Sequence, residues 1–153
     1  MKHYIGVIGA GVCPASTYEV ARNLGFEVGK SGWTLVCGGL KGVMEAAAQG
    51  CIEAGGMTVG ILPGLERGSA NPYITVSLPT GLGDGRNIMV VRSSDLLVAV
   101  TGGYGTLSEI ALALKAGKPV IGLETWKEIP GVHYASDYLE AMQLMATLLP
   151  VKK

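Results

Sequence analysis

Charge is scarce in this chain and balanced where it occurs. Only 16% of the residues are charged, twelve basic and twelve acidic, so the formal net charge is zero. Without a basic excess or a cationic amphipathic stretch, nothing calls for nucleic acid or a membrane surface as a partner. Long apolar runs are missing too: the longest are strand-length, too short to span a bilayer. Cysteine occurs only at Cys13, Cys37 and Cys51. An odd number at wide, irregular spacing reads as reduced thiols, not as disulfides or a zinc site. No Gly-Lys-Ser/Thr of a Walker loop occurs, and no His/Cys/Asp cluster has metal spacing, so neither a metal nor a resident cofactor is expected. His3 and His133 read as structural or exposed. The N-terminus lacks the long apolar region and cleavage site of a signal peptide, and the expected location is the cytoplasm.

Glycine, by contrast, is abundant. There are 24, more than twice the usual share of roughly 7%. They cluster where strands end: Gly9-Ala-Gly11, Gly38-Gly39, Gly81-Leu-Gly-Asp-Gly85 and Gly102-Gly103-Tyr-Gly105. Glycine concentrated at strand-to-helix junctions lets backbone approach a nucleotide or a phosphate.

Hydrophobic periodicity places strands at residues 4–8, 33–37, 58–62, 73–77, 96–100 and 120–123. Helices are expected at 16–30, 43–54, 86–93, 107–116 and 136–148, with 63–72 a polar loop. The alternation predicts a single α/β domain over 1–153, a Rossmann-like three-layer α/β/α fold with a parallel sheet. Glycine-bearing loops 9–14, 37–42, 63–72 and 101–105 then leave one sheet edge together and are expected to line one cleft.

Within that set, Thr101-Gly-Gly-Tyr-Gly-Thr-Leu-Ser-Glu109 is the most informative run. It joins a strand to a helix, and two readings fit it. The glycines and the helix N-terminus suit an anionic group, above all a phosphate. Alternatively, Thr106 and Glu109 stand three apart, as in a capping box. A dinucleotide fingerprint is disfavoured. Pro14 stands where the third glycine belongs, and Cys37-Gly38-Gly39 replaces the acidic residue that would hold the ribose.

Cys37-Gly-Gly-Leu-Lys-Gly-Val-Met44 resembles the signature GGGxxGLM, and the run ending at Glu109 resembles PGGxGTxxE. Together the two motifs mark the LONELY GUY (LOG) family of the SLOG superfamily, long mislabelled as lysine decarboxylases. The resemblance implies a Rossmann-like dimer whose phosphate or ligand site draws on Gly38, Gly39, Gly42, Met44, Gly102, Gly103, Tyr104, Gly105 and Thr106, to which the glycine-bearing loop after the first strand adds Gly9 and Gly11. It implies Arg86 and Glu109 as the catalytic pair that releases a free base and ribose 5-phosphate from a nucleoside 5'-monophosphate. A carboxylate facing the sugar would offset positive charge as the ribosyl bond breaks.

Departures from the pattern are Thr101 for proline, Ser108 for the first glutamate of a pair, Cys37 for glycine, and Glu45 where a closing glycine belongs. The stretch 108–119 resembles a bacterial sub-branch similar to molybdenum cofactor carrier proteins. That resemblance implies the alternative function, a non-catalytic carrier of a phosphorylated pterin-type ligand. Lysine decarboxylation is excluded, since no lysine has the setting of a Schiff-base residue. Arg67 and Asn71 are candidate contacts for the base. A homodimer or higher homo-oligomer is expected by resemblance, with the helices at 43–54 and 110–116 as candidate interfaces.

Overall fold

The computed structural model describes residues 2–150. Seven strands form one sheet: β1 (Tyr4–Gly9), β2 (Thr34–Cys37), β3 (Met57–Leu62), β4 (Val76–Pro79), β5 (Leu96–Val100), β6 (Val120–Leu123) and β7 (His133–Tyr134). Every pairing is parallel, in the order β4-β3-β2-β1-β5-β6-β7. The central strands bury both faces, which is why β5 and β6 read as unbroken apolar runs rather than alternating ones.

Five helices complete the layers: α1 (Ala15–Lys30), α2 (Val43–Glu53), α3 (Arg86–Ser93), α4 (Tyr104–Lys115) and α5 (Tyr138–Leu148). Helices α1, α2 and α5 cover one face over Ile5, Val7, Leu35 and Val98. Helices α3 and α4 cover the other over Ile8, Val36, Leu97 and Ala99. From β1 the chain first builds outward through β2, β3 and β4, then returns to add β5, β6 and β7 on the other side. The switch point therefore lies between β1 and β5. The loops leaving these two strands diverge to opposite faces and open a crevice there. Among the described residues, no helix is long and apolar enough to cross a membrane.

Three elements differ from expectation. The fourth strand begins at Val76, not at 73, because the Thr58 side chain intercepts the approaching backbone. Its Oγ1 donates to Tyr73 O at 2.6 Å and accepts from Thr75 N at 2.8 Å, so the ladder starts only at Val76 opposite Val59. Helix α4 starts at Tyr104, inside the glycine run, three residues before the periodicity signals it. The two-residue strand β7 was not expected at all; it is too short to carry a period.

Helices α1 and α2 pack backbone to backbone. A β-carbon on Gly25 would overlap the carbonyl of Ala47, and one on Gly50 would overlap the carbonyl of Arg22. Ala46, Ala47, Ala48 and Cys51 are fully buried within the chain. The small residues at 43–54 are thus used by packing inside the chain. On the far side, Lys118 Nζ donates to the carbonyls of Val91, Arg92 and Ser94 at 2.6–2.8 Å and closes the C-terminus of α3.

Candidate functional site

The crevice at the switch point holds a cavity of about 220 Å³. Its walls come from the end of β1 (Gly9, Ala10, Gly11), from Gly38 after β2 and Met44 of α2, from Asp84, Arg86 and Asn87, and from Gly103, Gly105, Thr106 and Glu109. Three of the four expected loops therefore meet. The loop at 63–72 does not contribute. Asn71 is buried and committed elsewhere: its Nδ2 donates to Leu40 O at 2.7 Å and its Oδ1 accepts from Tyr73 N at 3.0 Å. Arg67 lies exposed on a short 3-10 turn away from the cavity. The segment after β4 takes the place of that loop and brings Asp84 to one lip.

Helices α2, α3 and α4 all begin at this cavity, and α3 and α4 carry no acidic residue in the first turn. The N-terminal partial charge of α4 is left for something else to neutralise, whereas the 3-10 turn leading into α3 carries Asp84. In α4 the first helical bond runs from Leu107 N to Gly103 O at 3.0 Å, so the N–H groups of Tyr104, Gly105 and Thr106 precede the ladder. The capping-box reading of Thr106 and Glu109 fails. The N-cap is Gly103, no side chain caps the helix, and Glu109 stands in its second turn.

Glycines of the motifs divide into two kinds. Gly9, Gly42 and Gly102 have no room for a side chain: a β-carbon would overlap Val100 O, Ala10 O and Thr106 Oγ1 respectively. Gly102 also has φ +104, a conformation that L side chains rarely adopt. Gly39 is likewise a packing glycine against Leu62 and Gly60. Gly39, Gly42, Gly102 and Tyr104 are not among the cavity's lining residues; the first three shape the loops that are. A β-carbon at Gly11 or Gly103 would meet nothing within 4 Å, and one at Gly105 only Asn87 Nδ2 at 3.9 Å. These three line the cavity and leave open space where a side chain would stand.

Arg86 is fixed to the cavity wall. Its Nε donates to Ile61 O at 3.0 Å, its Nη2 to Gly38 O at 3.4 Å, and its Nη1 to Asn87 Oδ1. Gly38 must be glycine for this, because a β-carbon would come within 2.6 Å of Nη2. All these acceptors are neutral, so they hold the guanidinium in place without pairing it with an opposite charge. Glu109 is only 7% exposed, and its carboxylate has no hydrogen-bond partner among the described residues. Burial pushes it up to about 7, against the opposing pull of the Arg86 charge. An acid so placed changes protonation near neutral pH.

Asp84 and Asn87 were missed by sequence reasoning. Their signal was the glycine cluster ending at Gly85, which sets both beside Arg86. Ser108, the departure next to Glu109, points away and donates to Gly105 O at 2.7 Å. Cys37 is fully buried, and desolvation raises its thiol to about 12, an inert sulfhydryl. Among the described residues no group of three His, Cys, Asp or Glu stands close enough to hold a metal ion.

Comparison with known proteins finds relatives of this chain. The molybdenum cofactor binding protein of Rippkaea orientalis is 37% identical, with a TM-score of 0.91 over 96% of this chain and 97% of that one. The molybdenum cofactor carrier protein of Chlamydomonas reinhardtii is 38% identical, with a TM-score of 0.89 over 97% and 98%. A cytokinin riboside 5'-monophosphate phosphoribohydrolase of Mycobacterium tuberculosis is 30% identical over 77% of this chain and 68% of its own length. DNA processing protein A of Helicobacter pylori, at 16% identity and a TM-score of 0.72, shares the fold alone. The SLOG cluster4 family model matches residues 2–149, and the chain belongs to that family.

Proposed function

We propose that the cavity binds a phosphorylated nucleotide-like ligand and hydrolyses the N-glycosidic bond of a nucleoside 5'-monophosphate. The observation that carries this reading is Glu109, a buried carboxylate without a hydrogen-bond partner, facing a cavity whose positive charge is the immobilised Arg86. Phosphate binds at the N–H groups of Gly105 and Thr106, where Gly103 and Gly105 leave the backbone bare. Arg86 offsets negative charge on the phosphoribosyl group. Ionised Glu109 faces the anomeric carbon and stabilises the positive charge that grows on the ribose as the bond to the base breaks. It then accepts a proton from the water that adds its hydroxyl to that carbon. The base leaves with a proton from solvent, so one water is consumed for one free base and one ribose 5-phosphate. Asp84, also in the cavity wall, is the second carboxylate available to the ribose hydroxyls.

Incubation with a panel of nucleoside 5'-monophosphates, followed by detection of free base, tests the reading. Release of base is expected to fall about a hundredfold or more in Glu109→Gln and Arg86→Ala. The rate is expected to rise with pH through about 7 as Glu109 ionises. Turnover unchanged in both variants would refute the mechanism.

A second reading has its own support. The two molybdenum cofactor proteins are nearly the same length as this chain and more similar to it than the hydrolase. Under that reading the cavity holds a phosphorylated pterin without cleaving it. Protein isolated anaerobically from a cofactor-producing host would then contain pterin and metal; finding neither would refute it. A homodimer is proposed alongside, on the resemblance. Since α2 spends its small residues internally, the exposed Val76 and Leu78 of β4 and Met89 of α3 are the better candidate face. A single-chain mass by light scattering would exclude it.

A further inference from the structure

Tyr104 is the most exposed aromatic residue beside the cavity, 82% accessible, and it stands between two cavity-lining glycines, Gly103 and Gly105. Its ring lies against Trp126, with centroids 5.7 Å apart and planes tilted by 33°. The indole is not free to drift. Trp126 Nε1 donates to Gly103 O at 2.9 Å, and its neighbour Thr125 donates through Oγ1 to Thr101 O at 2.6 Å. Two consecutive residues after β6 thus splint the glycine run from one side.

Backbone strain concentrates in the same place. Among the described residues the non-glycine positions with positive φ are Thr101 (51°), Glu124 (49°) and Glu128 (60°), all in these two segments. Such conformations persist only where surrounding structure enforces them, and they gather at ligand sites. A second cavity, about 370 Å³, is lined by Thr125 and Lys127 on either side of Trp126. Residues flanking Tyr104 line the first cavity and residues flanking Trp126 line the second.

We infer that the Tyr104–Trp126 pair is a stacking platform for the planar heteroaromatic ring, purine or pterin, of a ligand whose phosphate sits at the start of α4. The inference rests on the phosphate reading above and adds the subsite that recognises the rest of the ligand. Four observations carry it: an aromatic face left open to solvent, an indole pinned by its own N–H, the unpartnered Glu109 lining the adjoining cavity, and open space at Gly103 and Gly105. Aromatic faces stack on any flat heterocycle, so the platform supplies affinity for the ring class more than for one base.

Calorimetric titration of adenosine 5'-monophosphate and of ribose 5-phosphate, in a Glu109→Gln background that slows turnover, tests it. The monophosphate is expected to bind about tenfold more tightly than the sugar phosphate. Tyr104→Ala is expected to abolish that advantage while leaving ribose 5-phosphate affinity within about twofold; Tyr104→Phe is expected to keep it. Equal losses for both ligands, no loss for either, or a change only in the size of the protein assembly would overturn the platform. If ribose 5-phosphate does not bind at all, the phosphate reading fails by itself. In that case quenching of Trp126 fluorescence by adenosine or a neutral pterin in Trp33→Phe protein decides the platform separately. Quenching that Tyr104→Ala removes supports it, and absence of quenching overturns it.

Discussion

Two regions of this molecule are built from glycine and small residues, and they use them in opposite ways. Where α1 crosses α2, Gly25 and Gly50 let two helix backbones touch, and any β-carbon there would overlap a carbonyl. At the start of α4 and the end of β1, Gly103, Gly105 and Gly11 leave space that none of the described residues fills. The first region explains its glycines by packing alone. Gly105 does not: it sits in a helix with no neighbour that requires it, at a cost of about 1 kcal/mol relative to alanine. A helix weakened for no internal benefit, beside a buried unpaired carboxylate, is the mark of a ligand site.

The comparison breaks most visibly at the packed crossing. Gly50→Ala is expected to destabilise the fold by about 3 kcal/mol or more, because the backbones must separate. Urea denaturation measures this, and a loss below about 1 kcal/mol would show that the crossing is looser than the structure has it. Next comes Glu109. Its pKa is raised from 4.5 to about 7, so the folded state binds the extra proton between those values and stability falls as pH rises through that window. Glu109→Gln is therefore expected to stabilise the protein by up to about 3 kcal/mol at pH 8 and to have little effect at pH 4. Thermal melts across that range provide the check; a pH-independent difference would contradict the burial argument. The smallest effect on stability is the most diagnostic. Gly105→Ala is expected to stabilise α4 by about 0.5–1 kcal/mol while weakening phosphate binding. A variant that gains stability and keeps full ribose 5-phosphate affinity would remove the case for reserved space.

Much of the architecture was legible in the chain. Alternating strand and helix patterns gave the layers, and the glycine clusters marked the edge of the sheet where the cavity lies. Arg86 and Glu109, named by motif resemblance, do line one cavity. The failures are equally physical. The loop at 63–72 is polar and glycine-bearing like the others, yet Asn71 spends its amide on Leu40 and Tyr73. Composition does not reveal whether a polar group is already satisfied. The fourth strand was misplaced because a single Thr58 hydroxyl, 15 residues away, competes for the backbone of Tyr73. Asp84 was overlooked because a short exposed turn has no periodicity.

By itself, the sequence determined which segments turn, which bury and which residue types stand at strand ends. These are local properties, read within a few residues of backbone and side-chain preference. Tertiary structure alone decided that β1 and β5 are neighbours, and hence that loops 90 residues apart share a cavity. It also decided which glycines face space, how deeply Glu109 is buried, and that Trp126 reaches back to Gly103. Those depend on distances between parts of the chain that no local pattern records, because the order of strands in the sheet sets them.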